Sequence, residues 1–154
     1  MNASASAVRR IWRTVAVAGL AFGAREARAQ VSVSGSPAAM KVTMAVAGSA
    51  PTAVSDALTT YSSASNPAPG HFSITASINS PMPAGVTLTI TLAASQGSSA
   101  GAVTLSTVAQ NVVTGIAKKM NNGQTITYNL SATAAAGVVP LQTRQVTLTQ
   151  ISTP

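Results

Sequence analysis

Between residues 71 and 95 the chain reads HFSITASINSPMPAGVTLTITLAAS, and this stretch limits the possible folds more than any other. Phe72, Ile74, Ala76 and Ile78 alternate with serine and threonine, and Val86, Leu88, Ile90 and Leu92 alternate with threonine. In an extended backbone every second side chain lies on the same face, so each run makes a strand with one apolar and one largely hydroxyl-covered face. Wound into a helix, the same residues would be scattered around the cylinder and would form no buried stripe. The intervening SPMPAG supplies prolines and a glycine, which is turn chemistry, and the pair of runs predicts a β-hairpin.

The rest of the chain has the same character. Val31 and Val33 alternate with serine, Gly35-Ser36-Pro37 interrupts, and Met40, Val42, Met44 and Val46 form a second alternating run. Proline cannot donate to a strand ladder, so this N-terminal stretch belongs at a sheet edge. Residues 57–63 (ALTTYSS) form a weaker strand candidate, and NPAPG at 66–70 is loop. Residues 102–108 (AVTLSTV) return as a strand with Val103 and Leu105 on one face, while QNVVTGI at 110–116 suits an irregular crossing between sheets. Asn121-Asn122-Gly123 signals a tight turn. It leads into residues 125–133, where Ile126, Tyr128, Leu130 and Ala132 alternate; a loop follows at 134–140, and residues 143–151 close the chain with Val146 and Leu148 inward. About seven or eight short strands separated by turn signals predict an all-β, antiparallel sandwich.

The first 29 residues have a different composition. Arg9, Arg10 and Arg13 precede an apolar run at 14–24, and Ala27 and Ala29 stand before Gln30. A basic start, a short hydrophobic middle and small residues at the end are the three parts of an export signal. The apolar run is 11 residues, and a spanning helix needs about 20. The expected organisation is a cleaved signal peptide at 1–29 and one β-sandwich domain at 30–154, exported to the periplasm or the cell surface of a bacterium, with no transmembrane span in the mature chain.

The net charge of +7 belongs mostly to that leader. After residue 29 only Lys41, Lys118, Lys119 and Arg144 stand against Asp56, a formal +3. Phosphate tracking needs clustered basic side chains, so nucleic acid is not an expected partner. There is no cysteine, and core burial or partner contacts must supply the stability that disulfides give many small exported domains.

The same scarcity limits the chemistry. Residues 30–154 contain a single histidine, His71, a single aspartate, Asp56, and no glutamate. Paired-carboxylate catalysis and a protein-built metal site therefore lack ligands or partners, and no cofactor is expected. A serine with His71 and Asp56 could compose a triad, yet no G-x-S-x-G elbow accompanies them. The simpler reading puts Asp56 at a turn or cap and His71 at the start of a strand. Asn129-Leu130-Ser131 matches a glycosylation sequon inside a predicted strand. Lys118 and Lys119 beside the Asn-Gly turn could contact an anion, or could form a solvated tip.

Strand edges are normally guarded by lysine, proline or bulges, and here such guards are few while Thr, Ser, Asn and Gln cover the polar faces. The stretch 31–46 is the candidate interaction segment: Val31, Val33, Met40, Val42, Met44 and Val46 either form the first strand of the chain's own sandwich or add to a neighbouring subunit. Met40 and Met44 also suit core filling.

Taken with the export signal, the segments 31–46, GVTLTITLAAS at 85–95, NNGQTITYNLSAT at 121–133 and RQVTLTQIS at 144–152 resemble secreted bacterial immunoglobulin-like domains of the pilin type. The chain is similar in outline to subunits of chaperone–usher fimbriae and to spore-coat-U-like proteins. The resemblance implies an immunoglobulin-like sandwich; it transfers no functional residue. The expected function is that of a non-enzymatic structural or interaction subunit associating through strand edges and Thr/Ser-rich faces, possible partners being copies of itself in a fibre or surface layer. The alternatives are an accessory subunit that docks on the periplasmic face of a larger envelope complex and stabilises it, and a carbohydrate- or peptide-binding module.

Overall fold

The computed structural model of the chain describes residues 31–42, 49–64, 71–117 and 120–153. They form nine strands: β1 (Val31–Ser34), β2 (Val54–Ser63), β3 (His71–Ile78), β4 (Val86–Leu92), β5 (Ser98–Ser99), β6 (Val103–Thr104), β7 (Gln110–Ile116), β8 (Gln124–Ala132) and β9 (Val146–Thr153). All pairings are antiparallel and build two sheets, one ordered β1-β2-β8-β4-β6 and the other β5-β7-β3-β9. The chain is thus an all-β sandwich. No helix among the described residues is long and apolar enough to cross a membrane.

The alternation sets which side chains meet between the sheets. Tyr61 of β2, Ile126 and Tyr128 of β8, and Leu88, Ile90 and Leu92 of β4 face Phe72, Ile74, Ala76 and Ile78 of β3 and Val112, Val113 and Ile116 of β7, all buried. Fully burying one such aliphatic or aromatic side chain is worth roughly 1.5–3 kcal/mol, and this layer is the source of stability in a chain with no cysteine.

The predicted hairpin between residues 71 and 95 is not formed. β3 pairs with β7 and β9, whereas β4 pairs with β8 and β6 in the opposite sheet. The SPMPAG linker crosses the sandwich. Val86 N–H donates to Pro83 C=O (3.0 Å), and Thr133 N–H to Gly85 C=O (2.8 Å). Gly85 has φ of +74°, and a Cβ there would lie 2.7 Å from Thr133 Oγ1, so only glycine fits this corner without strain. Two runs with inward stripes satisfy the same pattern whether they are neighbours in one sheet or face each other across a core.

Three further segments extend or depart from expectation. The weak candidate at 57–63 is part of β2, the longest strand at ten residues. The ambiguous 110–116 stretch is a regular member of the second sheet, β7, whose register against β3 shifts near Val113. That shift lets adjacent Val112 and Val113 both be buried. The Asn-Gly turn does more than reverse the chain. Asn121 is fully buried; its Oδ1 accepts from Ser95 N–H (2.9 Å), Ser95 Oγ (3.0 Å) and Gln96 N–H (2.8 Å), and its Nδ2 donates to Gln96 C=O (3.0 Å). Its main chain exchanges bonds with Ser63 N–H and Oγ at 2.9 and 3.0 Å. One residue, through its side chain on one side and its main chain on the other, therefore ties the segment after β4 to the end of β2.

Candidate interaction site at the edge of strand β9

The two sheets have four edges, and three of them are short. β1 is four residues, β5 two and β6 two. The fourth is β9, eight residues long. Its inner side pairs with β3 residue for residue, from Val146 opposite Ile78 to Thr153 opposite His71. Among the described residues no strand pairs with its outer side.

Hydrogen-bond geometry shows which atoms that outer side offers. Asn79 N–H donates to Gln145 C=O (3.1 Å) just beyond the ladder, while Ile78 N–H turns the other way to Ser106 C=O (2.9 Å). In an antiparallel ladder the N–H and C=O of one residue point to the same side and alternate along the strand. Gln145, Thr147, Thr149 and Ile151 therefore bond toward β3, and Val146, Leu148, Gln150 and Ser152 direct their N–H and C=O outward. Thr75 Oγ1 donating to Thr149 C=O (3.3 Å) agrees with this phase.

The side chains leave that edge unguarded. β9 carries no charge and no proline. Val146 and Leu148 are half-buried and Gln150 is buried, with Gln150 Nε2 donating to Ala64 C=O across the sandwich (3.2 Å). Thr147, Thr149 and Ile151 are exposed on the other face. The nearest charge, Arg144, is turned away: its Nε and Nη2 donate to Pro81 C=O at 3.2 and 2.9 Å, and it also bonds Gln142 Oε1.

Beside the start of β9 lies a cavity of about 350 Å³ between the layers, lined by Met40, Met82, Leu88, Leu130 and Val146, with Tyr128 in its wall. Residues 37–40 cover it, held by Asp56, whose Oδ2 accepts from Ala38 N–H (3.1 Å) and Oδ1 from Leu58 N–H (3.2 Å). Asp56 also sits opposite Tyr128 in the β2–β8 ladder. Burial first, and then the Asp56 charge, push the Tyr128 phenol above its ordinary range. Leu141, which lines the rim of the cavity, is 94% exposed, and Val138, three residues earlier in the chain, is 100% exposed.

The interaction segment read from the sequence is divided by the structure. Val31 and Val33 lie in β1, paired with Ser63 and Tyr61 of the same chain. Val31 packs against the core and Val33 is 51% exposed. β1 is indeed an edge strand. Met40 and Val42 are half-buried and outside any strand, so the second alternating run is not a strand over its described part. Met44, Val46, Lys118 and Lys119 lie outside the described residues.

Asp56 and His71 are not brought together. Asp56 is in the first sheet at the Leu130 and Val146 end, and His71 is in the second sheet, opposite Thr153 at the far end of β9. Asn129 of the sequon is in β8, its Nδ2 donating to Ser55 Oγ (2.8 Å). Tyr61, Phe72 and Tyr128 are all buried, at 1, 2 and 5% exposure. The β9 edge was missed in the sequence, although an uncharged last strand after Arg144 was its signal. Comparison with protein-family models, with curated proteins and with solved structures returns no match.

Proposed function

We propose that the chain is a non-enzymatic, exported structural or interaction subunit with immunoglobulin-like connectivity, and that it joins a protein partner by pairing a strand to the outer side of β9. The observation that carries this reading is the eight-residue edge without charge or proline, to which no strand among the described residues pairs. Natural sheets blunt such edges because they recruit other chains, and an unguarded one fits a protein whose edge is covered in its working state. The leader-like residues 1–29 support export to the periplasm or cell surface. The separation of Asp56 from His71 supports a non-catalytic role.

A second reading, docking on a larger envelope complex, is favoured by the fully exposed Val138 and Leu141, since side chains of this kind mark contact surfaces when clustered. The sugar-binding alternative draws no support from Tyr61, Phe72 and Tyr128, the aromatics among the described residues, which lie in the core.

Ser152→Pro tests the proposal. Ser152 is exposed and its N–H points outward, so proline removes an edge donor and spares the β3 ladder. The protein is purified from its source without denaturant and its assembly size measured. The expected result is a wild-type assembly that Ser152→Pro weakens. A wild-type monomer of 15.3 kDa or less, or an assembly that is insensitive to Ser152→Pro, refutes the proposal.

A further inference from the structure

Resting on that reading of the β9 edge, we infer that its partner is the β9 edge of a second copy, in a two-fold dimer that places Thr149 opposite its own counterpart. The first ground is closure. A fibre needs two complementary edges on one molecule; among the described residues β1, β5 and β6 are too short to match β9, and the part of β2 that β1 leaves uncovered, Val54–Thr59, carries the charged Asp56 and a register shift, both of which guard an edge. One long edge pairing with itself forms a closed isologous contact. Secondly, the edge is self-compatible: in a two-fold antiparallel pair a charge near the axis would face its own copy, and β9 has none.

The register follows from two parities. A two-fold axis normal to the sheet keeps core-facing residues with core-facing residues, so even positions meet even and odd meet odd. The outward N–H and C=O groups belong to Val146, Leu148, Gln150 and Ser152. Pairing Val146 with Ser152 and Leu148 with Gln150 of the copy uses all four, about eight main-chain hydrogen bonds between the two chains. Sliding by two residues in either direction leaves about six. The best register sets Thr149 opposite Thr149 and Thr147 opposite Ile151, both at non-hydrogen-bonded sites, where Cα atoms approach to about 4.5 Å. Arg144, bonded to Pro81, lies outside the paired stretch.

The full chain provides the test, because it has no cysteine of its own. Thr149→Cys should oxidise to a disulfide-linked species of twice the monomer mass, since this spacing falls within disulfide range. Thr147→Cys and Ile151→Cys should cross-link with each other when mixed, and neither with itself. Thr149→Lys and Thr149→Glu should each raise the dimer dissociation constant at least tenfold, and an equimolar mixture should recover a dimer. Thr149 is exposed, and circular dichroism checks that each variant folds. Absence of the Thr149→Cys cross-link in a protein that is dimeric by light scattering overturns the register. A wild-type chain that stays monomeric alone, yet joins a different protein in a Ser152→Pro-sensitive manner, overturns self-pairing and leaves the edge reading standing. Insensitivity to every β9 substitution overturns both.

Discussion

Replacing Asn121 with alanine should destabilise this domain more than any other single substitution at a loop position. The side chain is fully buried and makes four hydrogen bonds: three accepted at Oδ1 and one donated from Nδ2. Alanine leaves Ser95 N–H, Gln96 N–H and Gln96 C=O without their partner. Ser95 is exposed and Gln96 half-exposed, so water can partly reach them and each loss falls near the low end of about 1–3 kcal/mol. The sum is about 3–4 kcal/mol, with the Ser63 contacts to the Asn121 main chain retained. Urea unfolding at constant m-value measures it, and the melting temperature should fall by roughly 10–15 °C on the scale for a domain of this size. A loss below about 1 kcal/mol would refute the account of Asn121 as the tie between β2 and the segment after β4.

Other consequences follow from buried polar groups. Thr59 is 1% exposed and its Oγ1 has no hydrogen-bond partner; Thr59→Val should therefore stabilise the fold by about 1 kcal/mol in urea titration, and a destabilisation would show that the hydroxyl is satisfied. Tyr61 Oη donates to Ala93 C=O (2.7 Å), and burial pushes its pKa from 10.0 up to about 12. A raised folded pKa means this contribution is intact below pH 10 and lost as pH rises from 10 through about 12. Tyr61→Phe should cost about 1 kcal/mol at neutral pH and flatten that alkaline decline; an unchanged decline would contradict the assignment. Asp56→Ala frees the amides of Ala38 and Leu58 and should cost about 2 kcal/mol, with hydrogen exchange at Ala38 speeding up as the cover over the cavity loosens.

What the sequence disclosed and what it hid divide along a physical line. Alternation reports which face a residue takes, and Phe72, Ile74, Leu88, Ile90, Ile126 and Tyr128 are all in the core as that pattern required. It carries no information about which strand lies alongside, so residues 71–95 were read as a hairpin although β3 and β4 lie in opposite sheets. β2 looked weak because its inward positions include Asp56, Thr59 and Ser63, and because its register against β8 shifts between Asp56 and Thr59. In β7 the paired valines broke the period for the same kind of reason. Asn121 showed only its turn propensity, since its hydrogen bonds are made to residues about 25 positions away. The candidate site was legible as composition, in the shortage of edge charges, but its position was not: the alternating apolar residues of 31–46 mark that stretch as the candidate, and the long open edge is at the other end of the domain's sequence.

The account rests on the outer side of β9 being covered by another strand in the working protein. Amide hydrogen exchange, resolved by residue in the native assembly and after its dissociation, reads this directly. The prediction is an alternation: Val146, Leu148, Gln150 and Ser152 gain protection on assembly, while Thr147, Thr149 and Ile151, already bonded to β3, change little. Rapid exchange at those four even positions in the intact assembly would contradict it.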